Sequence, residues 1–366
     1  MKTSRTKETV LVGLSGGVDS AVAAALLKDK GHDLIGVTMK VYDGSVSLNE
    51  GARHACFGPG EDEDIESAAT VCEFLGIPFH VIDLRTEYRN HVLDYFRGEY
   101  LSGRTPNPCV VCNQRLKFGF LWEKAGQAGI DFDFFATGHY ARVEKVGNRW
   151  LLKRAADRAK DQSYFLHALT RDQLSRTLLP LGGYTKPEVR ALARSLGYQS
   201  ADRAESQDFM PDGDYAPLFD KKDIREGDIV DEGGNVLGKH RGIVHYTIGQ
   251  RKGLGIAAAE PLYVIKIDAK HHRIVVGDKR RVFARGLIVT GLNLIAIEKL
   301  DRPYDVNVKI RLNHKGAPAT ASPLDNGKAE IIFREPQLAI TPGQSAVLYA
   351  EDTVIGGGII ERAVQD

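Results

Sequence analysis

The 366-residue chain predicts an α/β protein: a doubly wound parallel sheet first, then a small central β-rich domain and a C-terminal β-barrel. Three observations carry that expectation. Short apolar, β-branched runs alternate with helical stretches through roughly the first 200 residues, the pattern of a parallel sheet with crossover helices. From Gly227 onward helical periodicity disappears, and short strand-like runs recur between Gly, Pro and Asn. The charge is also unevenly spread. Lys and Arg number 49 against 48 Asp and Glu, but residues 1–220 carry net −3, 221–282 net +5 with four histidines, and 283–366 net −1. These shifts place domains at 1–204, 205–282 and 283–366, and a basic middle module points to a polyanionic partner.

In order, Thr9–Leu14 reads as a buried strand and Ser20–Lys30 as an Ala/Leu helix stopped by Gly31. Leu34–Val41 is the second strand. Glu63–Leu75 is a helix, with Ile65, Ala68, Cys72 and Leu75 on one face. Phe79–Leu84 is the third strand, Glu87–Tyr100 and Arg115–Ala128 are helices, Phe132–Ala136 is the fourth strand, and Lys186–Leu196 is a late helix. The β-rich part shows strands at Tyr263–Ile267, Arg273–Val276, Leu287–Val289, Val306–Ile310, Ala329–Phe333 and Ser345–Tyr349. A hydrophobic fraction of 43% and a charged fraction of 27% fit a globular chain and exclude disorder and collagen. No apolar run reaches the ~18–20 residues of a membrane helix. The start, MKTSRTKETV, has no apolar core of a signal peptide, and four cysteines make no disulfide framework. The expectation is a monomeric cytoplasmic protein.

The first strand runs through Gly13 into Leu14-Ser15-Gly16-Gly17-Val18-Asp19-Ser20 and directly into a helix. The glycines let the backbone approach a ligand, and hydroxyls with N–H groups at a helix N-terminus suit phosphate oxygens. Asp19 is placed to help hold a Mg²⁺ bridging phosphates. The Lys-Ser/Thr of the kinase-type loop is missing, and so is a GxGxxG fingerprint. The string resembles the PP-loop of the ATP pyrophosphatases, which cleave ATP between the α- and β-phosphates and pass AMP to a carbonyl-type oxygen.

The cysteines are Cys56, Cys72, Cys109 and Cys112. Cys72, on an apolar helix face, reads as a buried structural thiol. Cys109 and Cys112 form a CxxC in TPNPCVVCN (105–113), whose prolines and asparagine argue against regular structure through most of it. A helix beginning near Gln114 would then present its positive end and favour a thiolate. Cys56 lies in the loop after the second strand, on the carboxyl edge that also carries the Ser15–Ser20 loop.

Five strings, TPNPCVVCN, ATGHYARV (136–143), KDQSYFL (160–166), YTIGQRKGLGI (246–256) and TPGQSAVLY (341–349), together resemble the tRNA-specific 2-thiouridylases. These bacterial enzymes thiolate the wobble uridine, position 34, of tRNA. The resemblance covers nearly the whole chain in order. It implies a PP-loop domain of the adenine nucleotide α-hydrolase type, a central domain and a C-terminal barrel. It implies an ATP site at Gly13, Leu14, Ser15, Gly16, Gly17, Val18, Asp19, Ser20, Met39 and Gly138. Asn107, Pro108 and Cys109 would line the target-base pocket, and Cys112 would correspond to the family's nucleophile. Lys160, Asp161 and Gln162 would contact tRNA, together with His139, Arg311, Leu312 and Gln344. The resemblance further implies tRNAs for Lys, Glu and Gln, and a cysteine desulfurase or sulfur relay as donor.

The chemistry agrees with this reading. Uracil O2 is a poor leaving group until adenylated, a soft sulfur nucleophile can then displace AMP, and a base being modified must leave the stack. The chain departs from the family at one place. Members carry a second catalytic cysteine in a string like SQ-x-x-C-F; here the stretch is Glu205-Ser206-Gln207-Asp208-Phe209-Met210-Pro211-Asp212-Gly213-Asp214-Tyr215, with no cysteine. Two routes for sulfur follow. Cys109 and Cys112 act as a persulfide pair, or Cys56, Cys109 and Cys112 hold a [4Fe–4S] cluster through three irons. Competing classes are another PP-loop tRNA-modifying ligase, which needs no cysteine pair, and a non-catalytic RNA-binding ATP or cluster sensor, which would release no AMP or pyrophosphate.

Overall fold

The computed structural model describes residues 7–46, 48, 56–198, 209–210 and 215–365. The boundary expected near residue 204, and most of the 205–215 string, lie outside them. The chain divides into two compact units, one of residues 1–91, 109–214 and 352–354, the other of 92–108, 215–351 and 355–366.

The first unit holds a five-stranded parallel sheet in the order β3-β2-β1-β4-β7. Its strands are β1 (Thr9–Gly13), β2 (Asp33–Lys40), β3 (Phe79–Asp83), β4 (Phe134–Ala136) and β7 (Thr177–Leu178). Val10, Leu11 and Val12 of the central strand are fully buried, which their unbroken apolar run predicts. Helices α1 (Val18–Asp29) and α2 (Glu61–Leu75) start two residues earlier than the sequence pattern placed them. Cys72 is buried in the α2 core face as expected, packed with Val71, Ala68 and Leu75. Between β4 and β7 the chain forms a hairpin, β5 (Ala141–Val146) and β6 (Arg149–Arg154), turned by Gly147 at positive φ. The sequence pattern had not singled out that hairpin.

The CxxC expectation needs correction. Cys109 and Cys112 do not precede a helix that begins near Gln114; they lie on helical backbone, within Pro108–Val111 and at the start of Cys112–Phe120. Pro108 is compatible because a first-turn residue has no N–H to lose and needs the φ that proline fixes. Cys112–Phe120 is π-helical, and the Gln173 amide donates to the carbonyl oxygens of Gln114 (3.0 Å) and Phe118 (2.7 Å). A wide helix leaves carbonyls in need of such outside donors. The expected Glu87–Tyr100 helix likewise contains a π-helical stretch, Arg89–Leu93.

The second unit is β-rich, as expected. Its four-stranded sheet has the order β10-β11-β8-β9, from β8 (Gly227–Val230), β9 (Val236–His240), β10 (Tyr263–Asp268) and β11 (Arg273–Gly277). A six-stranded barrel follows: β12 (Phe283–Leu294), β13 (Tyr304–Lys309), β14 (Ala317–Pro323), β15 (Ala329–Leu338), β16 (Ser345–Ala350) and β17 (Thr353–Val364). Their order is β12-β15-β14-β13-β16-β17, and pairing of β12 with β17 closes it. Alternate residues such as Val306, Val308, Ile331, Phe333, Ala346 and Leu348 fill the barrel core.

Candidate active site

The loop after β1 is built for close approach. Gly16 sits at φ +68°, and a Cβ there would lie 2.6 Å from the Asp64 carbonyl oxygen, so only glycine fits without strain. The Ser20 hydroxyl accepts from Ser15 N–H (3.2 Å) and donates to the Gly17 carbonyl (3.0 Å), curling residues 15–20 around the start of α1. Gly13, Gly17 and Asp19 are half-buried, Ser15 is exposed, and Leu14, Gly16, Val18 and Ser20 are buried. Gly138, after β4, faces this loop: a Cβ on it would stand 2.7 Å from both Asp19 C and Ser20 N. Met39 is half-buried near the end of β2, one residue before Lys40. The structure thus brings the expected ATP residues together at the carboxyl edge of β1, β2 and β4, where nucleotides bind in such sheets.

Three residues that sequence reasoning missed hold this edge in shape. The Lys186 ammonium donates to both Asp19 oxygens, at 2.8 and 2.9 Å, and the Tyr140 hydroxyl donates to Asp19 Oδ1 at 2.8 Å. Lys186 is only 8% exposed, and a lysine so deeply buried needs such a partner. The Glu61 carboxylate accepts from the N–H groups of Val41 (2.7 Å) and Tyr42 (3.1 Å), fixing the chain as it leaves β2. Burial raises its pKa against those bonds. A polar cavity of about 250 Å³ opens there, lined in part by Lys40, Tyr42, Pro59, Glu61 and Arg85. The Glu61 signal was present in the acidic first turn of α2; Lys186 and Tyr140 carry no local signal.

His139 is held by Thr137, whose hydroxyl lies 2.7 Å from Nδ1. Withdrawal of its ring from water, with Lys117 nearby, pushes its pKa down to about 3, so it is neutral at physiological pH.

Three of the four thiols share one neighbourhood. Burial raises the Tyr88 phenol well above its usual range, and Cys112, Cys56 and Cys109 each add to the rise. Burial pushes the Cys112 thiol up to about 11, opposed by Lys117, so the thiolate expected from a helix N-terminus is not favoured. Cys56 is exposed and Cys109 half-buried. Among the described residues no three His, Cys, Asp or Glu side chains converge on a single metal ion.

The expected tRNA residues divide by role. Lys160 is half-buried at the turn. Asp161 is 8% exposed and accepts from Ala155 N–H (3.1 Å), Ser163 N–H (3.2 Å) and the Ser163 hydroxyl (3.0 Å), so its carboxylate shapes the turn from inside. The Gln162 side-chain oxygen accepts from Tyr140 N–H at 2.8 Å. In the second unit, Arg311 donates to the Leu338 carbonyl (3.0 Å) and Leu312 is 38% exposed. The Gln344 amide donates to the carbonyls of Thr105 (3.2 Å) and Pro106 (2.8 Å), and Thr105 N–H donates to Pro342 O (2.9 Å). Asn107 is buried, its N–H donating to the Tyr95 hydroxyl at 3.3 Å, and Pro108 is half-buried.

Comparison with known proteins is decisive for the family. Residues 8–210 match the model of the tRNA methyl transferase HUP domain, 219–278 that of the tRNA methyl transferase PRC-barrel domain, and 284–360 that of the aminomethyltransferase beta-barrel domain. The tRNA-specific 2-thiouridylase MnmA of Acetivibrio thermocellus is 45% identical over 97% of this chain and 99% of its own length. The protein of the same name from Clostridium perfringens is 45% identical, covering 97% and 99%. That from Geotalea uraniireducens is 47% identical, covering 98% and 96%. The chain belongs to the tRNA-specific 2-thiouridylase family. The counterpart of the thiouridylase string SQ-x-x-C-F begins at Ser206-Gln207 and is shortened, so no residue stands in for its cysteine; Asp208, Phe209 and Met210 follow directly. Met210 is 1% exposed, and the preceding carbonyl, that of Phe209, accepts from Phe57 N–H at 3.1 Å. Cys56 is therefore one residue from a backbone contact with the string that lacks the family's cysteine.

Proposed function

We propose that the protein is a tRNA-uridine 2-sulfurtransferase that adenylates O2 of the wobble uridine with Mg²⁺·ATP, releasing pyrophosphate, and replaces the adenylated oxygen with sulfur, releasing AMP. The observation that carries this reading is a glycine-rich nucleotide loop in the same unit as three thiols grouped about Tyr88. Gly16, Gly17 and the N–H groups at the start of α1 bind the phosphates, Asp19 faces the metal, and Met39 and Gly138 bound the nucleotide. Asn107 and Pro108 frame the flipped base, while Lys160, Gln162, Arg311, Leu312 and the basic central module engage tRNA. Neutral His139 is a hydrogen-bonding group beside the nucleotide loop. The substrates are tRNAs for Lys, Glu and Gln, a cysteine desulfurase or relay supplies sulfur, and the enzyme works as a cytoplasmic monomer.

For the sulfur step, the reading we favour has Cys56, Cys109 and Cys112 as ligands of a [4Fe–4S] cluster; what supports it is that all three thiols lie near Tyr88. A cluster takes one thiolate per iron, so its ligands need not meet at one point. Cys112 is half-buried and its thiol is pushed up to about 11, and coordination to iron would favour its thiolate. When bound, the cluster would supply a sulfide nucleophile, the donor's persulfide sulfur first being reduced to sulfide by two electrons from a thiol reductant. The chain's own residues keep the base beside it, keep O2 adenylated and exclude water. Iron and acid-labile sulfide are to be measured after anaerobic reconstitution, alongside tRNA-dependent AMP and pyrophosphate release. Near-stoichiometric cluster, lost in Cys56→Ala, supports the three-thiol assignment. No cluster in either protein, with thiolation intact, assigns the sulfur step to a Cys109/Cys112 persulfide. ADP release, or no product with tRNA, overturns the sulfurtransferase reading itself.

A further inference from the structure

Asp19 is the one acidic side chain in the nucleotide loop, and it would face incoming triphosphate with its own charge. It is held by Lys186 on both oxygens and by the Tyr140 hydroxyl on Oδ1. The Lys186 ammonium also lies 5.9 Å from the Tyr140 ring centroid, so the two holders pack on one another.

Both holders are seated by one short loop. Gln162 N–H donates to the Tyr140 carbonyl at 2.8 Å, and the Gln162 side-chain oxygen accepts from Tyr140 N–H at 2.8 Å. This pairing clamps Tyr140 on both backbone groups. At the loop's other end, Asp157 Oδ2 accepts from Lys186 N–H at 3.0 Å and Oδ1 from Ala159 N–H at 3.0 Å. Lys160 N–H donates to the Asp157 carbonyl at 3.2 Å, and Asp161 ties the loop to Ala155 and Ser163. The segment 155–163 is therefore a braced turn. Its Lys160–Gln162 stretch is the expected tRNA contact, and through Gln162 and Asp157 it holds Tyr140 and Lys186, the two residues that grip Asp19.

We propose that Lys186 and Tyr140 are positioning residues for the nucleotide loop, and that the 155–163 turn transmits tRNA engagement to Asp19 through them. The proposal rests on the sulfurtransferase reading, because it needs tRNA at Lys160–Gln162 and ATP at residues 13–20. Its physical content is a coupling free energy. If tRNA at the tip favours the seated arrangement, it tightens ATP, and by linkage ATP tightens tRNA by the same factor. Such couplings are typically about 5–150-fold. The device would tie tight seating of ATP to a bound tRNA, limiting ATP hydrolysis in its absence.

The test is calorimetric titration of an ATP analogue with a methylene bridge between the α- and β-phosphates, with and without unmodified tRNA, on the full chain. In wild type, tRNA tightens the analogue at least about fivefold. In Asp157→Ala the tRNA Kd stays within about twofold, while that tightening falls at least threefold; Asp157→Asn, which keeps an acceptor oxygen, retains most of it. Tyr140→Phe keeps the ring and removes only the bond to Asp19. It weakens the analogue without tRNA and shows the same loss of coupling, and it serves as the second variant should Asp157→Ala misfold. Undiminished coupling in both Asp157→Ala and Tyr140→Phe overturns the proposal, as does a wild type that binds both ligands independently. A wild type that binds the analogue but no tRNA overturns the sulfurtransferase reading and this proposal with it.

Discussion

Gly138→Ala probes the nucleotide loop with the smallest possible change. The added methyl carbon would sit 2.7 Å from Asp19 C, 2.7 Å from Ser20 N and 3.0 Å from Asp19 O. Non-bonded carbon atoms prefer about 3.5–4.0 Å, so the start of α1 and the chain after β4 must separate by close to 1 Å. The obstructing atoms are all backbone, so no rotamer change relieves the clash. Overpacking of this kind costs about 1–3 kcal/mol. The larger effect falls on catalysis, because a misplacement near 1 Å can cost about 10²-fold in rate. Gly138 has no positive φ, so alanine brings no backbone strain of its own and the clash is isolated. The assay is tRNA-dependent AMP and pyrophosphate release, read with the melting temperature. The expected result is kcat/KM for ATP reduced at least about 30-fold, with a melting shift of a few degrees. Unchanged kcat/KM and an unchanged melting temperature would falsify the claim that Gly138 abuts the nucleotide loop.

Other expectations follow from the same geometry. Burial holds His139 near pKa 3 and His167 near 4, both below their free value, so unfolding takes up protons in acid. The stability they contribute is complete above pH ~6.5 and is lost as pH falls toward 3–4, at up to about 1.4 kcal/mol per pH unit for each group. His139→Gln flattens that slope in urea titrations between pH 6.5 and 4; an unaltered slope would mean that His139 is not the buried titrating group. Gln344→Ala removes two bonds to the 105–106 carbonyls, costs about 1–2 kcal/mol of stability and raises KM for tRNA more than it lowers kcat. Equal losses in both constants would count against a holding role. Cys112→Ala abolishes thiolation while ATP-analogue affinity stays within about twofold, whereas Cys72→Ala keeps thiolation and loses about 1–2 kcal/mol of stability at the α2 core face. Loss of thiolation in Cys72→Ala would refute its structural assignment.

The parallel sheet was legible because Val10–Val12 of β1 is buried on both faces and apolar, and because β1, β2 and β3 are each followed by helical segments. The barrel was legible through alternation, as in Val306, Val308 and Ile310, all buried on one face. The nucleotide loop was legible because its chemistry is local: glycines, hydroxyls and a helix start within eight residues. What escaped depends on partners distant in sequence. Nothing around Lys186 marks it as a partner for Asp19, since the two are 167 residues apart and meet only when the late helix packs on α1. The π-helical Cys112–Phe120 segment escaped for the same reason, because its wide turns are supported by the Gln173 amide from another element.

That dependence on distant partners changes what the CxxC string means. Read alone, it offers a helix-activated thiolate. In the fold, Cys112 lies on helical backbone rather than before a helix, and withdrawal from water raises its thiol pKa against the opposing charge of Lys117. The same folding brings Phe57, next to Cys56, against Phe209, next to Met210. The string that lacks the family's cysteine is thus brought within one residue of Cys56. If Cys56 serves as the third ligand of a cluster, iron content falls in Cys56→Ala; unchanged iron would leave Cys56 an ordinary loop residue.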